Sequence, residues 1–150
     1  MASTFTVETR SSHPAERLFD LSLSIDEHLG SMADSGEQAI GGVTTGTIAL
    51  GESVTWRARH FGIWFTMTSQ ITGHDRPRRF VDEQVAGPFR SFRHVHEYRE
   101  VGRTTVMTDT ITLASPVFRR PVEKLVLVPY LRRLIRQRNR HLLAVLDARG

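Results

Sequence analysis

Between Glu52 and Leu113 apolar and polar residues alternate with period two, and from Pro121 to Ala148 the apolar spacing changes to that of a helix. Turn signals divide the first stretch into Ser53 to Phe61, Trp64 to Thr72, Arg79 to Val85, Ser91 to Val101 and Thr104 to Leu113. The breaks fall at Gly62, Gly73 to Pro77, Gly87-Pro88 and Gly102. Connections this short join antiparallel neighbours, because a parallel pair needs a crossover of a dozen residues or more. The second stretch places Val128, Leu131, Ile135, Leu142 and Leu146 on one side, with Arg132, Arg133, Arg136 and Arg140 mostly on the other. Pro121 suits a first helical turn, and Pro129 predicts a kink or break after the first two turns.

Upstream, Thr4 to Arg10 alternates as a half-buried strand. Ser12, Pro14 and Glu16 read as a helix start, with Ser12 as cap, and Leu18, Phe19 and Leu21 form the buried stripe of a short helix. A second short helix is expected over Ile25 to Met32, ended by Asp34-Ser35-Gly36, and a short strand near Glu37. The expected architecture is α+β: a curved antiparallel sheet of about seven strands around one long C-terminal helix, with two short helices after the first strand. A curved sheet over a straight helix leaves a gap where the two surfaces diverge, and such a gap lined by apolar side chains is a ligand cavity.

The 150 residues suit one domain, 1–150, large enough for a sizeable core. With no cysteine, disulfides, thiolate nucleophiles and Cys-ligated metal centres are excluded. No apolar run approaches the roughly 20 residues that cross a bilayer, and the N-terminus lacks a secretory pattern, so a cytoplasmic location is expected. The formal charge of +4 rests on 19 Arg and one Lys, concentrated from Phe118 onward. No nucleic-acid reading motif or aromatic stacking platform accompanies that charge, so nucleic-acid binding is not expected. A solvated arginine face is the simplest reading of the last helix; transient contact with an anionic membrane surface is the alternative, with Tyr130 nearby. No nucleotide-binding glycine motif or Gly-x-Ser-x-Gly elbow is present, and no cofactor is expected.

Strand alternation puts Val54, Trp56, Ala58 and His60 on one face, and Phe65, Met67, Ser69 and Ile71 on the same face of the next strand. On the last two strands it groups Phe92, His94, His96 and Tyr98, then Thr105, Met107, Asp109, Ile111 and Leu113. His94, His96 and Asp109 are thus polar groups on otherwise apolar faces, and burying them costs a few kcal/mol unless each finds a partner. Three readings stay open: an internal network that stiffens the sheet, the polar end of a pocket, or an imidazole held by a carboxylate as general acid or base. A metal held by His94, His96 and Asp109 is not expected, since this spacing is common by chance. Of Phe80/Asp82/Gln84 and Val81/Glu83/Val85, the second set has more apolar company, which makes Glu83 a candidate base or ligand anchor; a solvated edge position is the other reading. Arg138 lies near the apolar stripe and is a candidate partner for a ligand carboxylate or phosphate.

The segments Val54-Thr55-Trp56-Arg57-Ala58-Arg59-His60-Phe61-Gly62, Asp75-Arg76-Pro77-Arg78-Arg79-Phe80-Val81-Asp82-Glu83-Gln84, Gly87-Pro88-Phe89 and Phe92-Arg93-His94-Val95-His96-Glu97-Tyr98, with the order of elements, resemble the START-like (SRPBCC, helix-grip) superfamily. They are similar to a bacterial subgroup of small ligand-binding proteins, some of which carry the label cell division inhibitor. The resemblance implies a helix-grip domain that binds a small, largely apolar molecule, lipid-like or polycyclic aromatic. The expected lining is Trp56, Phe65, Met67, Glu83, Phe92, His94, His96, Tyr98, Met107, Asp109, Leu131, Ile135 and Arg138. The alternative it implies is an aromatic polyketide cyclase or dehydratase in which His94, His96 or Glu83 moves protons.

Overall fold

The computed structural model describes residues 2–115 and 123–149. Seven strands form one antiparallel sheet: β1 (Ser3–Ser11), β2 (Gln38–Gly42), β3 (Ser53–His60), β4 (Ile63–Asp75), β5 (Arg79–Ala86), β6 (Ser91–Val101) and β7 (Thr104–Ala114). Their order is β1-β7-β6-β5-β4-β3-β2, so the six later strands run as a meander and β1 closes against the last of them. Two short helices, α1 (Ala15–Ser22) and α2 (Ile25–Ser31), link β1 to β2. A π-helical turn, Glu123–Leu127, leads into α3 (Val128–Arg149). Pro129 is the second residue of α3, at the junction where the π-helical turn gives way to regular α-helix, an irregularity at the place where Pro129 predicted a kink or break. Pro121 lies outside the described residues.

Local chemistry fixes the ends of these elements with two departures from expectation. Ser12 does not cap α1: the helix starts on the Pro14 carbonyl, which accepts from Arg17 N and Leu18 N. Ser24 supplies the side-chain cap of α2 instead, its Oγ accepting from Glu27 N at 3.2 Å. The strand expected to stop at Thr72 runs on to Asp75, because Gly73 pairs with Val81 rather than opening the turn. A Cβ at Gly73 would lie 3.1 Å from Val81 Cγ2, so the glycine lets the bulky neighbour close over the backbone.

The core lies between the concave face of the sheet and the three helices, in two apolar clusters. One gathers Phe19, Leu18, Phe80, Tyr98, Met107, Leu142 and Leu146; the other Phe5, Val7, Ile111, Leu113 and Leu127. Phe19 meets Phe80 and Tyr98 edge to face, at ring-centre distances of 5.4 and 5.5 Å. Along β7 the clusters are separated by one inward position, Asp109, between Met107 and Ile111. Along α3 the interruption falls at Arg138 and Asn139, between Ile135 and Leu142. The polar belt that splits the core is the region from which the candidate site is built.

Gly42 ends β2 with φ of 68°, and a Cβ there would stand 2.1 Å from the Ser53 carbonyl oxygen. Gly62 has a similar φ of 75° but open space around the missing Cβ. Gly62→Ala is expected to cost about 1 kcal/mol, the ordinary penalty of a left-handed residue, and Gly42→Ala at least twice that, because backbone must also move. Urea denaturation of the two variants checks the difference; equal midpoints would contradict the close approach of β2 to β3.

Candidate functional site

Three neighbouring strands carry the site in register. Asp82 on β5 lies opposite His94 on β6, and His96 on β6 lies between Phe80 on β5 and Asp109 on β7. The side chains then pair diagonally. His94 Nε2 donates to Asp109 Oδ1 at 2.8 Å, and His96 Nε2 donates to Asp82 Oδ2 at 2.6 Å. Both acceptors are carboxylates, so the proton in each contact belongs to the imidazole Nε2. The rings stack, with Phe80, His96 and His94 in succession at 3.9 and 3.6 Å between centres. This stacking holds both imidazoles edge-on to their partners.

Asp109 is fully buried, and its charge is met from several sides. Arg138 NH2 donates to its Oδ1 at 2.7 Å, beside His94, and Asn139 Nδ2 donates to its Oδ2 at 2.9 Å. Asn139 Nδ2 also reaches Thr9 Oγ1 on β1 at 3.0 Å, while its Oδ1 accepts from Arg138 Nε and NH2 at 3.0 and 2.8 Å. Arg138 NH1 completes the cluster by donating to His96 Nδ1 at 3.3 Å. Burial by itself would raise the Asp109 pKa, but Arg138 and the His94 hydrogen bond outweigh it and hold the carboxyl well below its ordinary range. Burial likewise opposes ionisation of Asp82, yet its His96 hydrogen bond and the charges nearby keep its pKa below the ordinary value. His94 is pushed down to about 4, first by burial and then by the adjoining His96, against the pull of the two carboxylates. It is a neutral imidazole at neutral pH.

Above this belt a pocket of about 190 Å³ opens between α2, the concave sheet face and α3. Asp82, His94, His96 and Arg138 form its polar inner end. Its body includes Trp56, Met67, Phe80, Phe92, Ile111, Leu131, Leu134 and Ile135. At the opposite end the His28 ring lies tilted against Trp56, 4.3 Å between centres, and pairs with Glu37 at 3.0 Å, while His60 Nδ1 meets the Tyr130 hydroxyl at 2.7 Å. That last contact ties the tip of β3 to the first turn of α3, and burial lowers the His60 pKa.

Of the residues expected to line a cavity, Trp56, Met67, Phe92, His94, His96, Leu131, Ile135 and Arg138 do so. Five others stand elsewhere. Glu83 faces away: it accepts from Thr72 Oγ1 at 2.6 Å and lies 3.7 Å from Arg93 Nε, because the register of β5 with β6 turns Phe80 and Asp82 inward. The apolar company that favoured the other set is Val81, which is buried against Gly73, and Val85, which is exposed. Phe65 is half-buried beside His60. Tyr98 and Met107 are core residues against Phe19 and its neighbours, and Asp109 lies behind the imidazoles. The sequence reading missed Asp82, whose signal was its opposite register to Glu83, and the lining from α2 and the segment before β3, including Ile25, Met32 and Ile48. A set with metal-ligand composition is Asp82, His94 and His96, with one donor atom of each within 4.8 Å of the others. It differs from the set weighed from spacing, since Asp109 is held behind by Arg138 and Asn139.

Removing Arg138 leaves the buried Asp109 charge without its guanidinium, so Arg138→Leu is expected to cost about 3–5 kcal/mol, and Arg138→Leu with Asp109→Leu much less. Chemical denaturation of the single and double variants checks this; a double variant as unstable as the single would contradict it. The pH dependence follows from the directions above. The unfolded state takes up the His94 proton near pH 6.5 and the folded state only near 4, so stability falls as pH drops through that window, by up to roughly 3 kcal/mol. Asp109, whose folded pKa is depressed, adds a further loss below about pH 4. His94→Gln should flatten the slope between pH 6.5 and 4, and an unchanged slope would assign it to other groups.

No family model matches the chain, and no curated protein matches it. Solved structures, in contrast, superpose along nearly its whole length. The TTHA0849 protein from Thermus thermophilus does so with a TM-score of 0.74 at 16% identity, over 95% of this chain and 99% of its own. The Zhui aromatase/cyclase from Streptomyces sp. R1128 gives 0.77 at 11%, over 99% and 96%. Major latex-like protein 151 from Panax ginseng gives 0.68 at 14%, over 95% and 96%. Full-length superposition at such low identity speaks to architecture: a seven-stranded antiparallel sheet holding one long C-terminal helix, with two short helices after the first strand, which is the helix-grip fold.

Proposed function

We propose that this chain is a binding protein for a compact, largely apolar small molecule that lies against Trp56, Phe92, Leu131 and Ile135 and turns a polar group toward Asp82, His94 and His96. The observation that carries the reading is the pocket itself: apolar walls and a few convergent polar groups at one end are the composition of a small-molecule site. Its volume of about 190 Å³ falls below the roughly 300–1,000 Å³ of sites for drug-sized ligands. That favours a molecule of one or two rings, or a short chain, over a long-chain lipid or a large polycycle.

A second reading is acid–base catalysis of the cyclase or dehydratase kind, and one observation favours it: His94 is oriented by the buried Asp109, as a general base is oriented by its carboxylate. Against it, an imidazole with a pKa of about 4 is a weak base at neutral pH. Binding without turnover is therefore the favoured function.

Native mass spectrometry of protein isolated under gentle conditions, with thermal shift over a panel of one- and two-ring compounds, tests the proposal. A ligand at about a hundred times its Kd should add about 2.7 kcal/mol to stability. Ile135→Trp, which fills the pocket, should abolish the shift while the protein still melts cooperatively. Shifts that persist in that variant would locate binding elsewhere.

A further inference from the structure

Resting on that reading of the pocket, we infer that the inner end of the site selects a ligand that donates a hydrogen bond, a phenolic or enolic hydroxyl or an N–H group, and discriminates against a carboxylate. The geometry points there because the guanidinium at that end is already committed. Arg138 spends four of its five N–H groups on Asn139 Oδ1, Asp109 Oδ1 and His96 Nδ1. The fork that would grip a ligand carboxylate with two parallel bonds is closed around protein atoms. Of the donors that made Arg138 a candidate partner for an anionic ligand, one N–H is left outside these bonds.

The groups left over are acceptors. His94 gives its Nε2–H to Asp109, which leaves the bare Nδ1 of a neutral ring, and no hydrogen bond among the described residues engages that nitrogen. Asp82 receives one hydrogen bond, from His96, and its side chain keeps 21% of its exposure at the pocket wall. A carboxylate oxygen pair offers about four lone-pair sites, so a single bond from His96 leaves accepting capacity for a ligand in the pocket that Asp82 lines. Charge agrees with this count. Among the described residues Arg138 pairs with Asp109, whereas Asp82, the carboxylate at the pocket, is held by His96 alone. A second anion there meets repulsion in a poorly screened site, while an O–H or N–H donor satisfies Asp82 and His94 together.

The test compares three probes of one shape at pH 7.5 by calorimetry: 2-naphthol, 2-naphthoate and naphthalene. Wild-type protein should bind 2-naphthol at least tenfold more tightly than 2-naphthoate, with naphthalene between them. In Asp82→Asn, which removes the charge and adds an amide donor, the preference should shrink by at least fivefold. Naphthalene binding accompanied by equal or tighter binding of the naphthoate would overturn the inference and leave the pocket reading standing. Failure of all three probes to bind would overturn both. The wild-type comparison decides the matter even if the variant folds poorly.

Discussion

The ion pair between Arg138 and Asp109 is the contact on which the arrangement of this protein turns. It sits where an ordinary helix-on-sheet core would continue its apolar stripe, between Met107 and Ile111 on β7 and between Ile135 and Leu142 on α3. Two charges so deeply buried do not stabilise a fold by their attraction alone, since desolvation takes back most of the gain. The pair's contacts are met in one register only. A shift of α3 by one turn would strip Asp109 of the guanidinium and Asn139 of its bonds to Thr9 and Asp109 together. The helix is thereby keyed to β1 and β7 at one height, and the leucines above and below fall into their clusters.

The same pair shapes the pocket indirectly. By taking the Nε2–H of His94 and one N–H of Arg138, whose other engaged donors go to Asn139 and His96, Asp109 helps decide which atoms remain for a ligand. The Phe80–His96–His94 stack then fixes the orientation of those atoms against the apolar walls. A polar belt that was one reading among three from the sequence is thus two things at once: its back half is an internal network, and its front half is the polar end of a cavity. The two halves meet at the imidazoles, which present one edge to each.

Much of this architecture was legible in the alternation of strands and the helical spacing of Val128 to Leu146, because period two and period 3.6 report backbone geometry directly. His94, His96 and Asp109 stood out for the same reason: an inward polar residue on an apolar face demands a partner. The partner for His96 was not legible. Asp82 and Glu83 differ by one place, and a one-residue slip reverses the faces of a strand. The choice is made by pairing with β6, where Phe80 lies opposite His96, and by Gly73 making room for Val81 on the other side. Likewise Arg138 was read as facing the cavity, but only three-dimensional neighbours reveal that its donors are consumed by Asp109 and its own neighbour Asn139. The lining from α2 carried no periodic signal toward a cavity, since a short helix buries its stripe the same way against core or void.

The most direct measurement is the protonation of the imidazole nitrogens of His94 by 15N NMR at pH 7. The expected result is a neutral ring with the proton on Nε2 and a bare Nδ1, converting to imidazolium with a midpoint near 4. A ring protonated on both nitrogens at pH 7, or a neutral ring with its proton on Nδ1, would mean that Asp109 does not hold His94 as an acceptor toward the pocket.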